Sequence, residues 1–243
     1  MTVPVLRLLP FVRAGGAWQM AADEVMLEAA AGTASFRVYA WTEATLSLGY
    51  FQPAAVRRSD PLLESLPYVR RASGGATLVH DRELTYALAL PAGAPWQTRG
   101  ESWVRRMHGV LRDVFASFGV ETRLCATERK LGEVLCFLHH TPDDLLLGGA
   151  KVAGSAQRKM RGAVLQHGGV LLAQSAHTPA LPGVAELTGV VVDAVDFQTA
   201  LTERLAQATG WRLEGDEWSA AERSRIEERA TSKYADPAWN DKR

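Results

Sequence analysis

The chain has 243 residues, in which 27 Lys and Arg balance 27 Asp and Glu. That length suits one large α/β domain or two small ones, with a single core preferred, and the zero net charge offers no global field for nucleic acid or a membrane surface, so electrostatic recognition has to come from local patches. Cys125 and Cys136 allow at most one bridge and lack CxxC spacing, which fits a reduced cytoplasmic protein, and no run approaches the ~20 apolar residues of a membrane span.

The opening MTVPVLRLLPFVRAGG holds only a brief apolar run, broken by Arg7 and without a small-residue cleavage site, and predicts a strand, not a signal peptide. GAWQMAADEVMLEAAAG places Trp18, Ala22, Val25, Met26 and Ala29 on one helical face, with Gly32 available to close the helix. SFRVYAW (35–41) and TLSLGY (45–50) read as strands, and β-rich pieces follow at 68–71, 77–80 and 84–90, interrupted by Ser73-Gly74-Gly75 and by Asp81-Arg82.

From 102 to 119, Trp103, Met107, Val110, Leu111, Val114, Phe115 and Phe118 recur at the spacing of an amphipathic helix stopped by Gly119. Arg105, Arg106 and Arg112 occupy its other face, either solvated or turned toward an acidic partner. EVLCFL (133–138), DLLL (144–147), AKVAGSAQ (150–157) and AVLQHGGVLLA (163–173) then read as strands, with Gly148-Gly149 forming a primed hairpin turn. FQTALTERLAQATG predicts a helix with Phe197, Leu201 and Leu205 in register, and Ser219 with Glu222 has the capping-box spacing of another. No repeat, low-complexity tract or linker divides the chain, so residues 1–243 are expected to form one mixed α/β domain.

The glycines of the strand-rich middle ask for a reason, since each weakens a strand by about 0.5 to 1 kcal/mol relative to alanine. At Gly74 and Gly75 a tight turn and a close approach to ligand are equally good reasons; at Gly148 and Gly149 the turn suffices. A cysteine among apolar neighbours is ordinarily inert filling. The six histidines show no H-x-x-x-H or Cys/His spacing, so no metal site is expected.

Taken in order, WQMAADEVML, TLSLGYFQ, RRASGGATLVH, ELTYALALP, GGAKVAGSAQR, LQHGGVLL and KYADPAWN resemble the lipoate and octanoyl transfer members of the biotin/lipoate protein ligase superfamily, over residues 18 to 240. The resemblance implies a biotin/lipoate ligase-like catalytic domain, a mixed sheet with flanking helices. Within it, the Cys136-Phe137 dipeptide ahead of the Lys151 motif looks like the cysteine-dependent octanoyltransferase and amidotransferase branch, which reverses the inert reading of Cys136 and leaves it for Cys125. Two departures stand out: Ala76 occupies the place of a third glycine, and Gly169 that of a serine or threonine.

The implied activity moves an octanoyl group from acyl carrier protein to a lysine of a lipoyl-domain protein, such as the glycine cleavage H protein or a 2-oxoacid dehydrogenase E2 subunit, through a thioester on Cys136 and with no cofactor. An ammonium beside the sulfur favours the thiolate, which assigns Lys151 the activating role and, once neutral, that of the base for the incoming amine. Backbone N–H groups near Gly154, Ser155 and Ala156 are candidates for the oxyanion. Arg71, Ser73, Gly74, Gly75, His80, Gln157 and His167 are the remaining expected substrate-site residues, with His139-His140 a weaker alternative base. ATP-dependent lipoate ligation, amidotransfer between lipoyl domains, and non-catalytic binding of acyl carriers are the rival readings.

Overall fold

The computed structural model describes residues 3–97 and 100–243; Met1 and Thr2, which open the expected N-terminal strand, lie outside them. Pro10 divides that strand into β1 (Val5–Leu8) and β2 (Val12–Ala14), ahead of helix α1 (Gly16–Ala29). Gly32 does not cap α1: the Ala30 N–H closes on Leu27 O instead. Strands β3 (Ser35–Trp41) and β4 (Thr45–Leu48), the short helix α2 (Pro61–Glu64), and strands β5 (Tyr68–Arg70), β6 (Leu78–His80) and β7 (Glu83–Pro91) follow.

Helix α3 (Trp103–Ser117) ends where Gly119 turns at φ 75°. After it come β8 (Arg123–Leu124), β9 (Arg129–Lys130), β10 (His139–His140), β11 (Leu145–Leu147) and the long pair β12 (Ala150–Met160) and β13 (Ala163–Leu171). Helices α4 (Val184–Thr188) and α5 (Ala194–Thr209), strand β14 (Arg212–Gly215), and helices α6 (Ala220–Arg229) and α7 (Pro237–Asn240) complete the chain.

The main sheet runs β14-β1-β3-β7-β13-β12-β11-β8, with β2 also paired to β3. Its centre, from β3 through β7, β13 and β12, is antiparallel, while β1, β14 and β2 join in parallel. The sequence of β7 explains why the sheet is covered on both sides. Leu84, Tyr86, Leu88 and Leu90 enter one core, with α3 and α5, and Ala87 and Ala89 enter the other, with α1 and α6. Alternation here is large against small, not apolar against polar, as period-2 geometry requires of a strand buried twice.

Helices α3 and α5 meet through Phe115, Phe118 and Phe197, with ring centroids 5.2 Å and 6.2 Å from Phe197. Phe197 is fully buried, and truncation to alanine at such a position costs about 3 to 5 kcal/mol. A second, three-stranded sheet, β5-β4-β6, carries the arginine and glycine motif beside the main sheet. Among the described residues no helix is long and apolar enough to cross a membrane.

Candidate active site

The segment around Cys136, expected as a strand, is a 3-10 turn over Cys136–Leu138. Its backbone is committed elsewhere: the Cys136 N–H donates 2.8 Å to Thr77 O, and the Leu138 N–H closes on Leu135 O at 3.0 Å. Thr77 follows the glycine loop directly, so that loop holds the cysteine.

Lys151 reaches the same turn from β12. The Gly148-Gly149 turn, both residues at positive φ, starts the strand, and the ladder with β11 slips so that Leu146 faces Lys151 while Leu145 faces Ala153. A bulge of this kind re-aims side chains. Gly154 then provides the room, because a Cβ there would lie 2.4 Å from Lys151 Cε and 2.8 Å from Nζ. The ammonium donates to the carbonyls of His139 at 3.0 Å and Cys136 at 3.3 Å and stands 3.7 Å from Cys136 Sγ. Asp144, which the motifs did not single out, pairs with Nζ at 2.7 Å and also accepts from the Thr141 N–H and hydroxyl.

An apolar cavity opens beside the sulfur, lined among others by Met20, Tyr39, Leu78, Thr85, Gly168 and Gly169. Of the expected residues, Arg71, Gly75, His80, Cys136, Gly154, Ser155, Ala156 and His167 line it. Lys151 stands behind Cys136, and Ser73 touches the cavity only through His167, at 2.5 Å. Two do not reach it. In the loop between β5 and β6 the Gly74 carbonyl turns back to accept from Arg71, and on β12 the Gln157 side chain donates to Gln166 on the neighbouring strand.

Arg71 is neither solvated nor ion-paired. It is buried, with donors on the Ser47 carbonyl and hydroxyl and on the Gly74 and Ala76 carbonyls, and among the described residues no carboxylate pairs with it. Burial pushes its guanidinium down to about 10, opposed by attraction to the Cys136 sulfur. It therefore remains charged at neutral pH, a second cation beside the cysteine.

Each of the two cavity histidines is held by a carboxylate, one local and one distant in sequence. His80 stacks on Trp41 at 3.9 Å and binds Ser47 and Glu83, while His167 Nδ1 bonds Asp23 at 2.7 Å. Burial alone would raise Asp23, but Arg37 and His167 outweigh it and hold the carboxyl below its ordinary value. Tyr39 donates to Asp23 at 3.0 Å, and burial keeps its phenol well above the usual range.

On the α3 side runs a polar chain that the motifs did not reveal. Burial lowers His108, so the ring is neutral: Nδ1–H donates to Asp143 O, and Nε2 accepts from Ser155, which accepts in turn from Tyr86, each at 2.5 Å. Tyr86, pushed up to about 12 by burial, remains a donor. The chain fixes the carbonyl of Asp143, whose φ of 73° presents Asp144 to Lys151. His139 supplies a carbonyl to Lys151, and its ring turns to Glu128. Among the described residues no group of three or more His, Cys, Asp and Glu side chains is placed to hold a metal.

Residues 16–181 match the lipoyl protein ligase A/B catalytic domain. The chain is 30% identical over 269 residues to the octanoyltransferase LipM of Kyrpidia tusciae, covering 96% of this chain and 97% of that protein. It is 28% identical to the Geobacillus kaustophilus octanoyltransferase LipM, covering 93% and 94%. Among solved structures, a lipoate-protein ligase A bound with ATP superposes at a TM-score of 0.76, with 20% identity and 99% of each chain covered. A bi-partite lipoate protein ligase from Thermoplasma acidophilum superposes at 0.76, with 19% identity and coverage of 99% and 97%. These structures share the fold: a large mixed sheet with flanking helices.

Proposed function

Because the chain belongs to the lipoyl protein ligase A/B catalytic domain family, we propose that it is an acyltransferase of protein lipoylation. It moves an octanoyl group from an acyl carrier protein to a lysine of a lipoyl-domain protein through a thioester on Cys136. The acceptor class includes the glycine cleavage H protein and 2-oxoacid dehydrogenase E2 subunits. The observation that carries this reading is the 3.7 Å approach of Lys151 Nζ to Cys136 Sγ on the wall of an apolar cavity. Relatives named octanoyltransferase along almost the whole chain support it.

In the first half-reaction the Cys136 thiolate, favoured by the Arg71 and Lys151 cations, attacks the carbonyl carbon of the carrier thioester. The bond to the carrier sulfur breaks, and that sulfur leaves with a proton from Lys151. In the second, the neutral amine of the acceptor lysine attacks the acyl-Cys136 carbonyl, its proton passes to the now neutral Lys151, and Cys136 leaves as a thiolate. Asp144 orients the lysine throughout, and the octanoyl tail lies in the cavity. Since the donor is already a thioester, no adenylation is needed.

The test is transfer from octanoyl-carrier thioester to a lipoyl domain without ATP or magnesium. The wild type and Cys125→Ser are expected to transfer, and Cys136→Ser to fall by several powers of ten, because a serine without a dedicated base is a far weaker nucleophile. Attachment of free octanoate or lipoate only when ATP is supplied, with the carrier thioester ignored, would overturn the reading in favour of ligation.

A further inference from the structure

The chain as a whole is neutral, yet three cations from two distant segments converge on one aromatic pair, the half-buried Tyr50 and the exposed Phe51. Arg158, near the end of β12, lies 5.5 Å from the Tyr50 ring. Lys242 Nζ lies 3.7 Å from the Tyr50 ring and 3.2 Å from the Trp239 ring. Arg243 lies 5.3 Å from Tyr50 and 5.4 Å from Phe51. Phe51 itself is 69% exposed.

Among the described residues no Asp or Glu side chain forms an ion pair with any of the three; Asp241, the carboxylate next to them in sequence, accepts instead from the Tyr68 hydroxyl at 2.7 Å. The local field registers on Tyr50, whose phenol Lys242 draws below its ordinary value. Lys242 and Arg243 bond the Tyr50 side chain, which leaves their positive charge without a neutralising carboxylate, and charge of that kind beside the exposed Phe51 ring suits an acidic protein surface.

The surface is also fixed in place. Arg70, fully buried, donates to the carbonyls of Gly49, Tyr50 and Gln52 on one side and to Asn240 O on the other, while Trp239 Nε1 donates to Arg70 O. One side chain thus clamps the loop carrying Tyr50 and Phe51 to the segment carrying Lys242 and Arg243. The same loop borders the candidate active site: the Tyr50 N–H donates 2.9 Å to Ser73 O, and Arg158 lies two residues beyond Ala156 of the cavity wall.

We infer that the surface formed by Tyr50, Phe51, Arg158, Lys242 and Arg243 docks the acidic protein that delivers the acyl thioester. The inference rests on the transferase reading above and places the donor where a thioester on a flexible arm enters the cavity from the side of the glycine loop. The α3 arginines, the other candidates in the sequence, are already engaged: Arg105 by Asp143, Arg106 by Glu101 and the rings of Trp103 and Trp211, and Arg112 by Asp113.

The test compares acylation of Cys136 by an octanoyl-carrier thioester with acylation by octanoyl-N-acetylcysteamine, a small thioester with no protein to dock. In the variant Arg158→Glu/Lys242→Glu/Arg243→Glu, kcat/KM for the carrier is expected to fall about tenfold or more, chiefly through KM, and to lose most of its salt dependence. Use of the small thioester stays unchanged, which also shows that the variant is folded. Arg105→Glu/Arg112→Glu is expected to leave carrier use as it was. Equal use of the carrier by the triple variant and the wild type would overturn the inference, as would a loss confined to KM for the lipoyl acceptor. A wild type that neither thioester acylates would instead overturn the transferase reading, and the docking inference with it.

Discussion

The Lys151 ammonium lies 2.7 Å from the Asp144 carboxylate, and both side chains are only 3% exposed. A charge pair so far from water is expensive to break from one side, because the remaining charge stays buried alone. Asp144→Asn and Lys151→Met are each expected to destabilise the protein by about 3 kcal/mol at pH 7, and the double variant by clearly less than the sum. Urea unfolding of the four proteins measures the difference. Additive losses would show that the two groups do not act as a pair.

Lys151 has two duties that one substitution separates. Lys151→Arg keeps a cation beside the sulfur but cannot release its proton, so acylation of Cys136 should survive better than transfer onto the acceptor amine. Lys151→Met removes the cation, and alkylation of Cys136 by iodoacetamide at neutral pH should slow. Single-turnover measurements of the two half-reactions check the first expectation. Equal losses in both steps of the arginine variant would remove the proton-transfer role.

Arg7 anchors the C-terminal helices through Glu222, the capping-box residue of α6, with contacts of 2.6 Å and 2.9 Å. The hydrogen bond from Arg7 is the largest influence holding the Glu222 carboxyl down, from the ordinary 4.5 to about 2. A carboxyl lowered in the folded state stabilises it above the unfolded value, and that contribution is lost as the pH falls from about 4.5 to about 2. Glu222→Gln is therefore expected to cost roughly 1 kcal/mol at pH 7, a figure discounted for solvent screening, and almost nothing near the lower end of that window. Thermal unfolding at the two pH values reads it, and a pH-independent cost would contradict it.

Much of this architecture was legible because local pattern and global role coincide. The periodic faces of α1, α3 and α5 and the positive-φ Gly148-Gly149 turn follow from spacing and side-chain type alone. Cys136 reads as part of a strand in the sequence because its turn is held by a hydrogen bond to Thr77, 59 residues earlier, which no local pattern contains. The site divides the same way. Arg71, His80, Lys151 and His167 sit in motifs, whereas Asp23 matters through His167, 144 residues away, and His108 through Ser155, 47 residues away. Asp144 opens the expected strand DLLL, and nothing in that local pattern marks it as the partner of Lys151. Gln157 belongs to the lysine motif and points elsewhere.

The central claim is that the acyl group rests on Cys136 between donor and acceptor. The most direct measurement is intact-protein mass spectrometry after rapid mixing with octanoyl-carrier thioester, without ATP, followed by a chase with a lipoyl domain. The account predicts one octanoyl adduct, mapped to Cys136, released by hydroxylamine and passed to the acceptor at a rate that matches overall turnover. Transfer that proceeds at the wild-type rate in Cys136→Ser, or that never shows the adduct while product accumulates, would contradict it.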